Sequence, residues 1–110
     1  MEYGITMFVT DYSIPATELA VAVEERGFDA LFVPDHTHIP ADRTSPFAGG
    51  DVLPDDYIRN HDMFATLTAA AAVTKRIRLG TGICLVVERD PIVTVKQIAS
   101  LDQISGGRVD

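Results

Sequence analysis

"YGITMFVTDYSIPATELAVAVEERGFDALFV", residues Tyr3 to Val33, holds two apolar, β-rich runs on either side of one amphipathic run. The first, "YGITMFVT" (Tyr3 to Thr10), is bounded by Asp11 and has the composition of a buried strand. Ser13 then offers an N-cap oxygen, and Pro15 falls in the first helical turn, where its missing N–H costs nothing. Ala16, Leu19, Ala20 and Val23 recur at helical spacing. Gly27 stands where a helix closes on a residue with φ > 0, which a residue without Cβ adopts easily. "DALFV" (Asp29 to Val33) reads as the second strand. A strand, a helix and a strand in so short a stretch form a parallel pair joined by a right-handed crossover.

The same alternation continues outward. A long loop runs from Pro34 to about Asn60, with Pro34, Pro40, Pro46, Pro54 and Gly49-Gly50 in it. Loops of that length are usually lids or binding loops. Asp62 can cap a second helix over "MFATLTAAAAVT", with Phe64, Leu67 and Ala71 on one face and a close-packing alanine run from Ala69 to Ala72. "IRLGTGICLVV" (Ile77 to Val87) is the expected third strand, with two glycines inside it. Asp90 caps a third helix, Pro91 takes its first position, and Ile92, Val95 and Ala99 line a face. "SGGR" (Ser105 to Arg108) stops that helix, and Val109 opens another strand. Strands apolar on both faces imply a parallel sheet covered on both sides. Two closures fit: an open doubly wound sheet, or the first part of a (β/α)8 barrel. No Gly-x-Gly-x-x-Gly follows the first strand, which counts against a dinucleotide fold.

Composition narrows the function. At 110 residues the chain is one small domain, and 46% hydrophobic residues suffice for a packed core. The net charge of -7, with no basic cluster beyond Lys75-Arg76 and Arg78, argues against nucleic acid. No apolar run reaches the roughly 18 residues of a membrane span, and the N-terminus has no basic region before an apolar stretch. The single cysteine, Cys84, excludes an internal disulfide, fits a reducing, cytoplasmic compartment, and reads as inert core.

The residues that carry chemistry sit directly after the second strand. In "DALFVPDHTHIP", Asp35, His36 and His38 follow a run that the fold buries. They are solvated turn residues, a metal site, or the lip of a pocket. His36 and His38 stand two apart on an extended segment, but no Cys-x-x-Cys or His-Glu-x-x-His accompanies them, so a metal is not supported. Glycine inside a strand, as at Gly80 and Gly82, marks a bulge, a close approach of a ligand, or tight packing.

Three segments in order, "ERGFDALFVPDHTHIP", "RIRLGTGICLVVERDPIVTVKQIASLD" and "ISGGR", resemble the N-terminal part of the luciferase-like monooxygenase family. They look closest to its branch of oxidoreductases that use the deazaflavin coenzyme F420. The resemblance implies an α/β fold of parallel β/α units forming the N-terminal part of a (β/α)8 TIM barrel. A barrel takes about 250 residues, so residues 1–110 are expected to be a single piece of three β/α units, ending near the start of strand four.

Sites in such barrels lie on the loops beyond the C-terminal strand ends. The resemblance makes His36 the candidate general acid/base beside the coenzyme, and Asp35 either its orienting partner or a contact to the coenzyme's ring system. It assigns Thr81, Gly82 and Ile83 to a bulge that backs the ring, with the Gly82–Ile83 peptide cis or strongly distorted, and places Phe8 and Val9 beside it. Some deazaflavin sugar dehydrogenases carry a tryptophan four residues after the histidine; here that position is Pro40, so a sugar phosphate is not supported. Arg108 is read as structural, with Asp102 facing it across the turn. The expected activity is hydride transfer between F420 and an unidentified small organic substrate, in a homo-oligomer with no nucleic-acid or membrane partner. A reduced-FMN monooxygenase is the alternative on the same fold. A non-catalytic fragment that self-associates through its open sheet edge is the rival of another class.

Overall fold

The computed structural model describes residues 1–44, 46–50 and 52–110. Three strands, β1 (Gly4–Thr6), β2 (Ala30–Val33) and β3 (Arg78–Thr81), form one sheet in the order β1-β2-β3. Both pairings are parallel, with Thr6 opposite Phe32 and Phe32 opposite Gly80. Helix α1 (Ala16–Glu25) connects the first pair. The second connection holds a short helix α2 (Asp55–Arg59) and then α3 (Met63–Val73), and α4 (Pro91–Ser105) follows β3. Beyond α4, Val109 bridges to Leu79 in parallel, so the chain begins a further strand next to β3 as the alternation requires. Adjacent parallel strands in chain order, each followed by a helix, are consecutive β/α units of a (β/α)8 barrel. Among the described residues no helix is long and apolar enough to cross a membrane.

The core lies on one face of the sheet. Leu31, Val33 and Leu79 point to it from the strands, and Leu19, Val23, Met63, Phe64, Leu67 and Leu101 meet them from the helices. The other face carries Gly4, Thr6, Phe32 and Gly80 in register. No helix of the described chain lies over it, so the expectation of a sheet covered on both sides is corrected to one covered side. This is how a barrel strand works: the outer face meets helices and the inner face meets the barrel interior.

Local chemistry explains the helix ends. Asp62 Oδ1 accepts from the Ala65 N–H at 2.9 Å, and Asp90 Oδ1 accepts from the Val93 N–H at 2.9 Å. Both are side-chain N-caps, worth about 1 kcal/mol each. Ser13 does not cap α1; Pro15 holds that position. The Ser13 hydroxyl accepts instead from the Thr10 N–H at 2.9 Å, which tightens the loop after β1. Gly27 follows α1 at φ +80°, the left-handed region in which a Cβ would be strained.

Three further expectations change. β1 spans Gly4–Thr6 rather than Tyr3 to Thr10, because after Thr6 only the Met7 N–H still reaches β2, bonding to the Phe32 carbonyl. β3 ends at Thr81, and Val86–Glu88 forms a 3-10 turn, because the Leu85 N–H turns to a carboxylate instead of a strand. On α4 the buried positions are Thr94, Leu101 and Ser105, while Ile92 and Val95 stay 81% and 66% exposed. The helix turns a mixed stripe, with Leu101 at its centre, to the core and leaves the expected apolar face open.

Candidate active site

The loops beyond the C-terminal ends of β1, β2 and β3 meet at one end of the sheet. His36 lies three residues past the end of β2, half-buried. Its imidazole stacks on Phe8, from the loop after β1, at 6.2 Å between centroids and 6° between planes. Tyr57 of α2 tilts against both rings, at 4.8 Å from His36 and 4.9 Å from Phe8. Phe47 closes the far side of Tyr57 at 5.2 Å. Among the described residues no group hydrogen-bonds to the His36 imidazole; its ring is held by packing.

The aromatic wall is anchored by the β1–α1 loop. Arg59 binds Asp11 at 2.7 Å, the Tyr12 hydroxyl donates to Asp56, and the His61 N–H donates to the Val9 carbonyl at 2.8 Å. Asn60 Nδ2 also donates to the Pro34 carbonyl at 3.1 Å. The long loop, with Ser45 and Asp51 outside the described residues, therefore folds back over His36 instead of standing free. Acids in the first turn of α2 and Arg59 in its last turn suit the helix dipole.

Among the described residues Asp35 makes no hydrogen bond to the imidazole. Its side chain is 1% exposed and forms a forked pair with Arg89, whose Nε donates to Oδ2 at 2.9 Å and whose Nη2 donates to Oδ1. The Leu85 N–H adds a third bond to Oδ2 at 3.0 Å. Burial alone pushes the Asp35 carboxyl up, but the Arg89 fork and the Leu85 N–H outweigh it and hold it below the usual carboxylate range. The Asp35 hydrogen bonds push Arg89 upward in turn, so both groups stay charged. With both oxygens engaged and only 1% of its side chain exposed, this carboxylate is out of reach of a substrate proton. Of the two parts expected of Asp35, contact with a ring system is corrected by its burial, and it stands instead as a buried strut beside His36.

The glycine segment also differs from expectation. Among the described residues there is no cis peptide bond, so Gly82–Ile83 is trans. A non-prolyl cis bond costs about 3–4 kcal/mol and persists only where its surroundings enforce it. Here Ile83 is 60% exposed, and the Gly82 N–H simply continues the ladder to the Val33 carbonyl at 2.9 Å. Thr81 is the last residue of β3 and half-buried. Phe8 lines the site as described, but Val9 is 1% exposed within the core with its carbonyl paired to His61, so it presents nothing to a ligand.

His36 and His38 do not converge. His38 lies outside, where Thr37 Oγ1 contacts its Nδ1 at 2.8 Å and also binds Glu88. Cys84 is half-buried in the loop after β3, not in a strand; burial and then the Asp35 charge push its thiol up, away from thiolate chemistry. Arg108 is structural, donating to the carbonyls of Ala71, Thr74, Ile77 and Ser105, but Asp102 is not its partner. The sequence reading missed Tyr57, Phe47 and Arg89. Only Arg89 left a trace, as the residue before the Asp90 cap.

Residues 13–110 match the luciferase-like monooxygenase family. The chain is 47% identical over 99% of its length to the uncharacterized protein Rv0953c of Mycobacterium tuberculosis, and spans 40% of that relative. Its backbone is similar to the coenzyme F420-dependent tetrahydromethanopterin reductase from Methanopyrus kandleri, with a TM-score of 0.68 and 30% identity over 98% of this chain and 25% of that one. It is also similar to the monooxygenase RslO1 from Streptomyces bottropensis, with a TM-score of 0.74 and 29% identity over 100% of this chain and 32% of that one. The parallel β/α units, the loops gathered beyond their C-terminal ends and a match from α1 to the start of the next strand agree: the chain belongs to the luciferase-like monooxygenase family.

Proposed function

We propose that the protein is an oxidoreductase that moves a hydride between coenzyme F420 and a small organic substrate, with His36 as the proton donor or acceptor. The observation that carries this reading is His36 itself: an imidazole at the C-terminal end of a barrel strand, walled by Phe8 and Tyr57, with no internal hydrogen bond among the described residues. An imidazole can donate a proton from one nitrogen and accept one at the other, which suits it to general acid/base work. A Cβ built on Gly82 would touch Thr6 Cγ2 at 3.6 Å, so Thr6 and Gly82 share a strip with little side chain on it. When bound, the deazaflavin supplies the hydride chemistry, and the protein supplies orientation and the proton. The F420-dependent reductase from Methanopyrus kandleri, 30% identical, supports the choice of coenzyme.

A reduced-FMN monooxygenase is the second reading; the similarity to the monooxygenase RslO1, at a TM-score of 0.74, supports its monooxygenase part. The test is a fluorescence titration of the purified protein with oxidised F420 and, separately, with FMN. Saturable binding of F420 with weak or no binding of FMN is the expected result. The reverse preference selects the monooxygenase reading, and binding of neither overturns both.

A further inference from the structure

The geometry assigns Arg89 the part of a positioning residue: its grip on Asp35 sets the orientation of the His36 imidazole and keeps the Gly82–Leu85 segment beside it. The effect on turnover rests on the proton-transfer role proposed for His36, but the orientation itself does not.

Three observations carry the inference. First, His36 stands between two fastened neighbours. Asp35 is gripped by Arg89, and Thr37 is bound to Glu88, the residue before Arg89 in the chain. The imidazole makes no hydrogen bond among the described residues, so its direction is set by the backbone it hangs from and by the rings it packs against. Second, the same carboxylate accepts the Leu85 N–H at 3.0 Å. One side chain thus ties the loop carrying His36 to the loop carrying Gly82. Third, Arg89 is held from a third element, with Asp62 Oδ2 at 3.4 Å and the Phe64 ring centroid at 5.1 Å, both from the start of α3. The Asp35–Arg89 pair dominates over the Thr37–Glu88 contact because Asp35 and Arg89 are 1% and 9% exposed, whereas Glu88 is 29% exposed. The planar five-donor fork of arginine reaches both Asp35 oxygens and Asp62 together; the single ammonium of lysine does not.

The test uses two variants of the protein labelled with 13C at histidine, the His36 signal being identified by its loss in His36→Gln. Arg89→Lys keeps the charge and removes the fork. The pair Asp35→Asn with Arg89→Gln removes both charges, so that no unpaired ion is buried and folding is preserved. In each, the His36 ring proton should lose the shift imposed by the stacked Phe8 ring, while the His61 signal stays in place. With coenzyme and substrate, kcat should fall about 100-fold, as expected for misplacement of a catalytic group, with coenzyme Kd little changed. A His36 signal unmoved in either folded variant overturns the proposal. So does loss of folding in both, since the pair would then serve the fold and not the site. If wild type binds neither F420 nor FMN, the functional reading falls while the His36 signal still decides this one.

Discussion

The ring of Phe32 occupies the space that Gly80 leaves by having no side chain. A Cβ built on Gly80 would lie 2.4 Å from Phe32 Cε1, and one on Gly4 would lie 2.9 Å from Phe32 Cε2. The ring is therefore clamped between two glycines, one from each neighbouring strand, and it cannot swing away from one without meeting the other.

Gly80→Ala should destabilise the protein by about 1–3 kcal/mol, the usual cost of overpacking. Gly82→Ala should cost less than about 1 kcal/mol, since its Cβ would make only ordinary contacts at 3.6 Å and beyond. Urea unfolding of both variants measures the difference. Equal losses would mean that the ring relaxes freely and that Gly80 is not there for packing.

Glu24 is the second test. Its carboxylate accepts the backbone N–H groups of Lys75, Arg76 and Ile77, at 2.7 to 3.1 Å, and so fixes the approach to β3 from the end of α1. Glu24→Ala opens these bonds and should cost about 1–3 kcal/mol by chemical denaturation. Glu24→Gln should recover part of that, because one amide oxygen still accepts.

Acid should weaken the fold through two carboxylates. Burial pushes Glu24 upward, but its three backbone N–H bonds and Arg76 prevail and lower its pKa. Burial and then the Arg89 fork act on Asp35 in the same opposing way, with the same outcome. A folded pKa below the unfolded value gives stability that is present above about pH 4 and is lost as the pH falls through the folded values. Thermal midpoints from pH 7 down to pH 2.5 should fall most steeply below about pH 4 in wild type and less steeply in Glu24→Gln. A parallel decline in the two proteins would sink the assignment for Glu24.

Asp35→Ala leaves Arg89 buried with Asp62, at 3.4 Å, as its remaining carboxylate among the described residues. Breaking a buried pair from one side costs about 3–5 kcal/mol, more than neutralising both partners. Asp35→Ala should therefore be less stable than the Asp35→Asn, Arg89→Gln pair, as read from urea midpoints. The opposite order would show that Arg89 finds other partners.

How much of this was legible in the sequence depended on the range of the contacts. Asp62 and Asp90 gave away the starts of α3 and α4, because an N-cap is made three residues along the chain. Ser13 misled because its hydroxyl serves the preceding loop. The end of β3 was hidden because Leu85 bonds to a carboxylate 50 positions away, and no local pattern encodes that. His36 was legible as a polar residue straight after a buried strand. Phe47 and Tyr57, which wall it, arrive from a loop without periodicity, and Arg89 looked like an approach to a helix cap.

The proton role of His36 is tested most directly by His36→Gln, which keeps a polar side chain of similar reach without an imidazole. The ring stacks on Phe8, is tilted against Tyr57 and is only half-buried, so its loss should remove little of the core. An acid or base acts in the transition state and adds little to ground-state binding, so the kinetic signature is a split between kcat and binding. Turnover should fall by a factor of about 100 to 10,000, the usual contribution of a general acid or base. Coenzyme affinity should stay close to wild type, because the substitution removes a proton donor or acceptor and not a binding surface. The measurements are steady-state kinetics and a coenzyme titration on both proteins. Wild-type turnover in His36→Gln would make Asp35-His36 a turn pair whose acid is a strut and whose histidine is packing.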